Sequence, residues 1–318
     1  MLPNALRPSA TDHVPVLADE VRRLLDVQPG DTVVDATFGS GGHAGLLAAD
    51  LEHSGRFIAI DRDPSARSYF ERFRRRYGIQ ARFLRGEFAT VLYQFAANDV
   101  RADAILLDLG VSSMQLDLPE RGFSYAVDAP LDMRMDPSAD VTAADIVNDA
   151  SARELQTIFR RYGEEKYARQ IARAIARRRR RAPFTRTAEL VETIKVAIPT
   201  PARFGDGHPA RRVFQALRIA VNDELRQLEE ALPAAVEMLR PEGRLAVISF
   251  HSLEDRIVKH YFRQEAHGCT CPPDFPICAC GRNPIVRVLT PRAVRPTARE
   301  VAYNPRSASA RLRVVEKV

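Results

Sequence analysis

Asp35-Ala36-Thr37-Phe38-Gly39-Ser40-Gly41-Gly42-His43 is the stretch of this sequence that decides the fold. The β-branched and apolar residues Thr32-Val33-Val34 precede it, and the segment 44–51, with helical apolar spacing, follows it. This order predicts a strand, a glycine-rich turn and a helix. Because glycine has no Cβ and tolerates positive φ, such a turn lets the backbone approach a ligand and points a helix N-terminus at it.

Two further segments predict strands that end in an acid, as the first one does. Residues 56–61 end in Asp61, and residues 104–110, which are apolar almost throughout, contain Asp108 near their end. A nearly continuous apolar run is typical of a parallel strand covered on both faces. Parallel strands would bring Asp35, Asp61 and Asp108 to the carboxyl edge of one sheet, where ligands bind in open α/β folds.

The α/β pattern is interrupted in the middle of the chain. Between 115 and 211 the spacing of apolar residues predicts several helices and no convincing strand. The α/β pattern returns with a long helix over 213–232 and a fifth strand over 244–250. A helical insertion in an α/β domain explains this order.

The length of the chain and its last strands complete the predicted architecture. A chain of 318 residues suggests about two domains. Apolar and polar residues alternate over 285–289 and 310–316, which predicts an antiparallel pair at the sheet edge. We therefore expect an α/β domain over 1–114 and 212–318, with an all-helical domain over 115–211 inserted into it.

The composition favours a cytoplasmic protein with a polyanionic partner. The chain has 47 Lys and Arg against 41 Asp and Glu, a net charge of +6. This balance favours nucleic acid as a partner. No apolar run is long enough to cross a bilayer, so we expect no membrane partner.

One predicted helix of the inserted region, 164–181, carries a row of arginines. Arg169, Arg173 and Arg177 recur at i, i+4 and i+8, and four more arginines follow as 178–181 without an acid among them. Such a run is often only a solvated face, but uncompensated charge of one sign repels itself. We favour the phosphate backbone of a nucleic acid as the partner of these three residues.

Four cysteines lie close together near the C-terminus, as Cys269-x-Cys271 and Cys278-x-Cys280. A disulfide framework is not expected in a reducing compartment, which leaves a structural zinc site or free thiols. The Cys-x-Cys spacing is shorter than the usual zinc spacing, so both alternatives stay open.

The glycine turn is compatible with two kinds of cofactor. Gly39-x-Gly41-x-x-Ala44 satisfies the loose dinucleotide fingerprint, and Asp61 follows Gly39 by 61 − 39 = 22 residues, where a carboxylate binds ribose hydroxyls. An NAD-type oxidoreductase is therefore one alternative. The acid before the adjacent glycines, the acid and glycine that end the fourth strand, and the antiparallel edge instead favour S-adenosylmethionine.

Longer motifs extend through most of the sequence. They are Asp35–His43, Ala59–Pro64, Leu106–Ser113, Arg121–Ser124, Pro130–Asp136, Tyr162–Glu165, Ile248–Arg256 and Asn304–Arg306. Together, from about His13 to Val315, they closely resemble the MraW-type family, the ribosomal RNA small subunit methyltransferases H. The resemblance implies a class I (Rossmann-like) methyltransferase sheet with an inserted helical domain. It also implies transfer of a methyl group from S-adenosyl-L-methionine to the N4 amine of a cytidine in the decoding region of 16S ribosomal RNA.

The resemblance also implies site residues and partners. Carried over by position, the cofactor site would contain Gly41, Gly42, His43, Asp61, Phe88, Asp108 and Gln115. The substrate would be small-subunit ribosomal RNA or the assembled small subunit; the oligomeric state stays open.

The sequence does not name a catalytic base. The Asn/Asp-Pro-Pro-Tyr signature of amino-methyltransferases is absent after the fourth strand. His251, at the end of the fifth strand, and Asp108 are the candidates, because both are expected at the ligand edge. A non-catalytic RNA-binding assembly factor with the same fold is the second alternative function.

Overall fold

The computed structural model describes residues 15–52, 54–203, 207–267, 271 and 280–318. These residues form two compact units. The first takes its described residues from Met1–Gly110 and Gln227–Val318, and the second is Val111–Arg226. No described helix is long and apolar enough to cross a membrane.

Strands and helices alternate through the first unit, and the second is helical. The strands are β1 (Thr32–Asp35), β2 (Arg56–Asp61), β3 (Gln80–Arg85), β4 (Ala102–Asp108), β5 (Leu239–Ser249), β6 (Val286–Val288) and β7 (Arg311–Lys317). The helices are α1 (Ala18–Leu25), α2 (Gly42–Asp50), α3 (Ala66–Tyr77), α4 (Phe88–Ala97), α5 (Ser113–Leu116), α6 (Ala143–Asp149), α7 (Ala152–Gly163), α8 (Ala168–Arg178), α9 (Thr187–Ala197), α10 (Thr200–Arg203), α11 (Arg211–Asn222), α12 (Glu224–Met238), α13 (Ser252–His267) and α14 (Ala298–Tyr303). Two 3₁₀ turns cover Pro119–Arg121 and Pro305–Ser309.

The sheet of the first unit has the strand order β3-β2-β1-β4-β5-β7-β6. Strands β1 to β5 are parallel to one another, whereas β7 is antiparallel to both β5 and β6. The predicted antiparallel pair is therefore present as β6 and β7. This arrangement confirms the expected class I (Rossmann-like) methyltransferase sheet.

The centre of the sheet is buried as the apolar strands require. Val33 and Val34 of β1, and Ile105 and Leu106 of β4, have no exposed surface. Strands that are apolar on both faces need a covering layer on each side. Because the core holds these strands in place, it also determines the positions of the acids at their carboxyl ends.

The second unit is built from helices with buried residues at i and i+4. Leu155 and Phe159 of α7 and Ile171 and Ile175 of α8 are fully buried in its core. Capping boxes start α6 and α7, with Thr142 and Ser151 as the N-cap residues.

The prediction of one long helix over 213–232 is wrong. The chain leaves the helix at Asp223, which has a φ of 51°, so that α11 and α12 are separate helices. The reason is Asn222, whose buried amide donates to Met133 O at 2.7 Å while its oxygen accepts from Met135 N at 2.8 Å. These hydrogen bonds join the end of α11 to a loop nearly ninety residues away.

The boundaries of the helical unit also differ from the predicted 115–211. Helix α11, expected in the α/β domain, packs against α7 in the second unit. The approach is close, because a Cβ at Gly163 would lie 2.5 Å from Arg212 O. Burial of the apolar face of α11 by α7 therefore extends the helical unit to Arg226.

Candidate functional site

The glycine-rich turn between β1 and α2 has a backbone that only glycine adopts without strain. Gly39 and Gly41 have φ values of 53° and 81°. A Cβ at Gly41 would lie 2.9 Å from Cζ of Phe38, which is closer than real Cβ contacts. The turn thus presents bare backbone at the N-terminus of α2, where N–H groups without helical partners attract polar or anionic ligand groups.

Phe38 anchors this turn, a role that was not predicted from the sequence. Its ring makes edge-to-face contacts with Phe70 and Phe73, at centroid distances of 5.8 and 5.6 Å, and with Phe83 at 6.4 Å. An aromatic residue inside a glycine turn was the available signal. Its contacts with α3 and β3 hold the turn in position, and they explain why no side chain fits at Gly41.

Asp61, at the end of β2, shapes the same turn. Its Oδ2 accepts from Gly39 N at 2.7 Å, and its Oδ1 accepts from Asp63 N at 2.8 Å. Burial raises the pKa of Asp61 to about 6, although these backbone hydrogen bonds oppose the shift. Each carboxylate oxygen has a further lone pair, so the group can still accept hydrogen bonds from a ligand.

Asp108, at the end of β4, lies next to the start of α2. Its Oδ2 is 3.6 Å from Nε2 of the buried His43, and its backbone N–H donates to Thr37 Oγ1 at 2.6 Å. Its Oδ1 is buried and has no hydrogen-bond partner among the described residues. An unsatisfied buried acceptor is costly, which is a reason to expect a ligand group there.

The acids of this edge hold their protons strongly. Burial, followed by the nearby charges of Asp35 and Glu254, raises the pKa of Asp108 to about 8. Burial also raises the pKa of Asp35 to about 7, against the hydrogen bond from Thr37 N. Acids with such shifts in one place are frequent at functional sites.

Two further predicted cofactor residues, Phe88 and Gln115, lie in different units of the structure. Phe88 is the first residue of α4, which begins shortly after β3 ends. Gly86, between the two elements, donates its N–H to Asp61 O at 3.0 Å. The start of α4 therefore lies at the same edge of the sheet as Asp61. Gln115 is buried in the second unit, where its Oε1 accepts from Ser112 N at 3.1 Å. The participation of Gln115 in the cofactor site stays a prediction.

His251 is the N-cap of α13. Its Nδ1 accepts from Glu254 N at 3.4 Å, and Oε2 of Glu254 accepts in return from the backbone N–H groups of His251, at 3.2 Å, and Phe250, at 2.8 Å. This is the geometry of a capping box with histidine in place of serine. Nε2 of His251 lies 3.2 Å from Oε1 of the buried Glu254. Glu254 was not predicted from the sequence, although a histidine followed three residues later by a glutamate could have indicated it.

The arginine row on α8 lies on the surface of the second unit. Arg169, Arg173 and Arg177 are exposed, opposite the buried Ile171 and Ile175. None of the three forms an ion pair with a described residue. Their charges are therefore available to a partner.

The arginines that follow this row are not all equivalent to it. Arg178 donates to Glu189 at 2.9 Å and stacks over Phe184 at 4.4 Å, and Arg179 donates to the carbonyl oxygens of Val147 and Ala150. The run 178–181 is therefore partly structural. The run 178–181 contains no acid, but Arg178 is nevertheless paired, because its partner Glu189 comes from the separate helix α9.

The cysteine cluster lies largely outside the described residues. Cys269 and Cys278 are not described, while Cys271 and Cys280 are described and half-buried. The zinc site stays a prediction.

Comparison with known proteins gives close matches over nearly the whole chain. A model of the MraW methylase family matches residues 10–318. The Ribosomal RNA small subunit methyltransferase H of Heliobacterium modesticaldum is 50% identical over 308 residues, covering 96% of this chain and 98% of that protein. The protein of the same name from Symbiobacterium thermophilum is 49% identical over 313 residues, with 97% and 98% coverage. That from Brevibacillus brevis is 47% identical over 309 residues, with 96% and 98% coverage.

Proposed function

The chain belongs to the MraW methylase family, and we propose that it methylates the N4 amine of a cytidine in the decoding region of 16S ribosomal RNA. It is an S-adenosylmethionine-dependent methyltransferase of ribosomal RNA, as its family and its relatives of about 50% identity indicate. This activity leaves the NAD-type oxidoreductase without support. The choice of the N4 atom and of the decoding region rests on the family resemblance.

The residues at the sheet edge fit S-adenosylmethionine. Gly41, Gly42, His43, Asp61, Phe88 and Asp108 would hold it, and Asp108 carries the argument, because its buried Oδ1 lacks a partner among the described residues. Gln115 is expected to contribute on the family resemblance alone. A hydrogen-bond donor of the cofactor would satisfy that atom. The glycine turn leaves room where a Cβ would collide with Phe38. When bound, the cofactor supplies an electrophilic methyl group on a positively charged sulfur.

The acceptor amine needs positioning more than it needs a strong base. The lone pair of an exocyclic amine is delocalised into its ring, so the site must hold the nitrogen in line with the methyl group and accept hydrogen bonds from its protons. Asp108, an acid at the ligand edge with a raised pKa, is the candidate acceptor. His251 is assigned to helix capping, because its Nδ1 accepts the N–H of Glu254.

The target base has to leave its stack, or lie in a single strand, to reach this edge. We propose that Arg169, Arg173 and Arg177 contact phosphates of the same RNA, since they are exposed and unpaired among the described residues. The substrate is small-subunit ribosomal RNA, free or assembled, and the protein acts in the cytoplasm.

Transfer of radiolabelled methyl groups from S-adenosylmethionine tests this function. We expect label in 16S ribosomal RNA, and N4-methylcytidine after digestion to nucleosides and mass spectrometry. Free RNA and isolated small subunits serve as parallel substrates, and the Gly41→Val variant is the inactive control. Label on carbon 5 of cytosine would contradict the N4 assignment. RNA binding without transfer to either substrate would favour the non-catalytic assembly factor.

A further inference from the structure

The segment that leads from β6 to β7 carries an exposed surface that the proposed function has not used. Its residues Arg292, Arg295, Arg299 and Tyr303 are exposed, the tyrosine to 60%. Among the described residues, none of the three arginines has an ion-pair partner. We call these four residues the edge platform. They combine uncompensated positive charge with an open aromatic ring.

The antiparallel direction of β7 places this platform at the ligand edge of the first unit. Ser249, the last residue of β5, pairs with Arg311, the first residue of β7. Val294 forms a bridge with Leu312, next to that point. The chain between 295 and 310, which contains Arg295, Arg299 and Tyr303, therefore lies beyond the carboxyl end of β5. Arg292 comes two residues before the Val294 bridge. Because β1 to β5 are parallel, this is the edge that carries the buried acids.

The platform is held in place by buried contacts. Glu300 is 7% exposed, and its Oε1 accepts from the backbone N–H of Leu17 at 2.8 Å. Thr297 caps α14 by accepting from Glu300 N at 3.1 Å. Arg299 and Tyr303 are four residues apart and thus share one face of this short helix. Little backbone conformational entropy would be lost when a ligand binds to such a surface.

We propose that the edge platform binds unpaired nucleotides of the RNA substrate beside the methylated base, with Tyr303 stacking on a base and the three arginines contacting phosphates. The inference rests on the proposed function, because it takes RNA as the substrate. A base that enters the pocket must be unstacked, which leaves its neighbours accessible. Exposed aromatic rings with flanking arginines are the chemistry that binds single strands without reading sequence.

Fluorescence anisotropy with a labelled single-stranded RNA of about 12 nucleotides tests the platform. We expect Tyr303→Ala to weaken binding by about 5- to 150-fold, the range for loss of one base stack. Tyr303→Phe should bind like the wild type, because the ring is retained. Tyr93→Ala is the matched control: Tyr93 is 70% exposed on α4 of the same unit and should not contribute.

The arginines are tested by the salt dependence of the same binding. Changing Arg292, Arg295 and Arg299 together to Gln should lower the slope of log affinity against log salt by about 2, at about 0.7 per contact for single strands. The control changes Arg72, Arg74 and Arg75 of α3 to Gln, which removes the same number of positive charges. This variant should leave the slope of log affinity against log salt unchanged.

Three results would overturn the platform. The first is that Tyr303→Ala binds the single strand as tightly as the wild type does. The second is that Tyr303→Ala loses as much affinity for the same RNA in duplex form. The third is that Tyr303→Ala loses self-association in sedimentation, which would assign the surface to a second copy of the chain. Methyl transfer by the wild type separates this inference from the proposed function. If the wild type methylates RNA and Tyr303→Ala has an unchanged KM for RNA, the platform alone fails. If the wild type binds RNA through the platform without methylating it, the proposed function alone fails.

Discussion

The carboxyl edge of the sheet and the outer face of α8 both carry charged side chains, but in opposite environments. At the edge, Asp35 and Asp108 are held by the core, and burial raises their pKa values to about 7 and about 8. On α8, Arg169 and Arg173 are exposed and have no ion-pair partner among the described residues. Under the proposed function, burial would hold one small ligand in one geometry at the edge, and exposure would attract a long polyanion to α8.

This difference determines how each region should respond to change. Interactions between buried groups depend on distances of tenths of an ångström and are little screened by salt. Interactions of exposed charges with a phosphate backbone depend strongly on salt and tolerate small shifts in position. Salt dependence and sensitivity to small displacements therefore distinguish the two regions experimentally.

The largest effect is expected from Gly41→Val at the edge. The new side chain would meet the ring of Phe38 and would have to adopt a φ of 81°, so cofactor binding in calorimetry should fall below detection. The strain should lower stability by about 1–3 kcal/mol. Gly78→Val is the matched control, because Gly78 has a φ of 62° with nothing within 4 Å of its Cβ position. Retained cofactor affinity in a destabilised Gly41→Val protein would show that this glycine serves the fold alone.

On the α8 face, changing Arg169, Arg173 and Arg177 together to Gln should weaken RNA binding by about 100-fold near 0.1 M salt, at roughly a factor of five per lost contact. The salt slope should fall by about 2 to 3. Cofactor affinity should not change, because these three exposed side chains are not among the residues proposed to hold the cofactor. Gln has nearly the helix propensity of Arg, so the helix should persist. An unchanged slope would identify the face as merely solvated.

Asp61→Ala should weaken S-adenosylmethionine binding by about 10- to 150-fold, the equivalent of about 1.5–3 kcal/mol for hydrogen bonds to a charged group. Loss of the acceptor for Gly39 N contributes, since this bond shapes the turn. Calorimetry on a folded variant gives the measurement. RNA affinity at varied salt is the internal control and should match the wild type. Wild-type cofactor affinity would remove Asp61 from the site.

Cofactor affinity should rise with pH between 6 and 8. The raised pKa of Asp108, about 8, means that the carboxyl is protonated in the empty folded protein at neutral pH. A positively charged cofactor favours the ionised form, so affinity should increase by up to about tenfold per pH unit below that pKa. The same shift opposes folding as pH rises from about 4 through 8, because the unfolded chain loses this proton first.

Calorimetry at pH 6, 7 and 8 measures this dependence. The Asp108→Asn variant should show a flatter profile, and S-adenosylhomocysteine, which lacks the sulfonium charge, should show a weaker rise than S-adenosylmethionine. An equally steep rise in Asp108→Asn would assign the titration to another group.

The smallest effect is expected at His251. As an N-cap it can be replaced by serine, so His251→Ser should keep methyl transfer within about twofold, whereas His251→Ala should lose about 0.5–2 kcal/mol of stability. Thermal unfolding and transfer assays on both variants give the comparison. A folded His251→Ser protein with activity reduced a hundredfold or more would restore His251 as a catalytic candidate.

The sequence by itself determined the features that follow from local rules. A glycine-rich turn after an apolar strand predicted the ligand edge, because glycine spacing and strand-end acids act over a few residues. Period 3.6 predicted several helices between 115 and 211, among them the arginine-bearing helix that the structure shows as α8, since this spacing arises from contacts three or four residues apart. The long family motifs then indicated the cofactor and the substrate class.

Only the tertiary structure decided what depends on residues distant in the chain. Asn222 ends α11 through the backbone at Met133, and Glu189 pairs with Arg178, which the sequence run had left uncompensated. Phe38 excludes a side chain at Gly41 because α3 and β3 hold its ring. The pairing of β7 with β5 brings the chain before Arg311 to the ligand edge. Local patterns cannot predict these contacts, because they form when the core brings separate segments together.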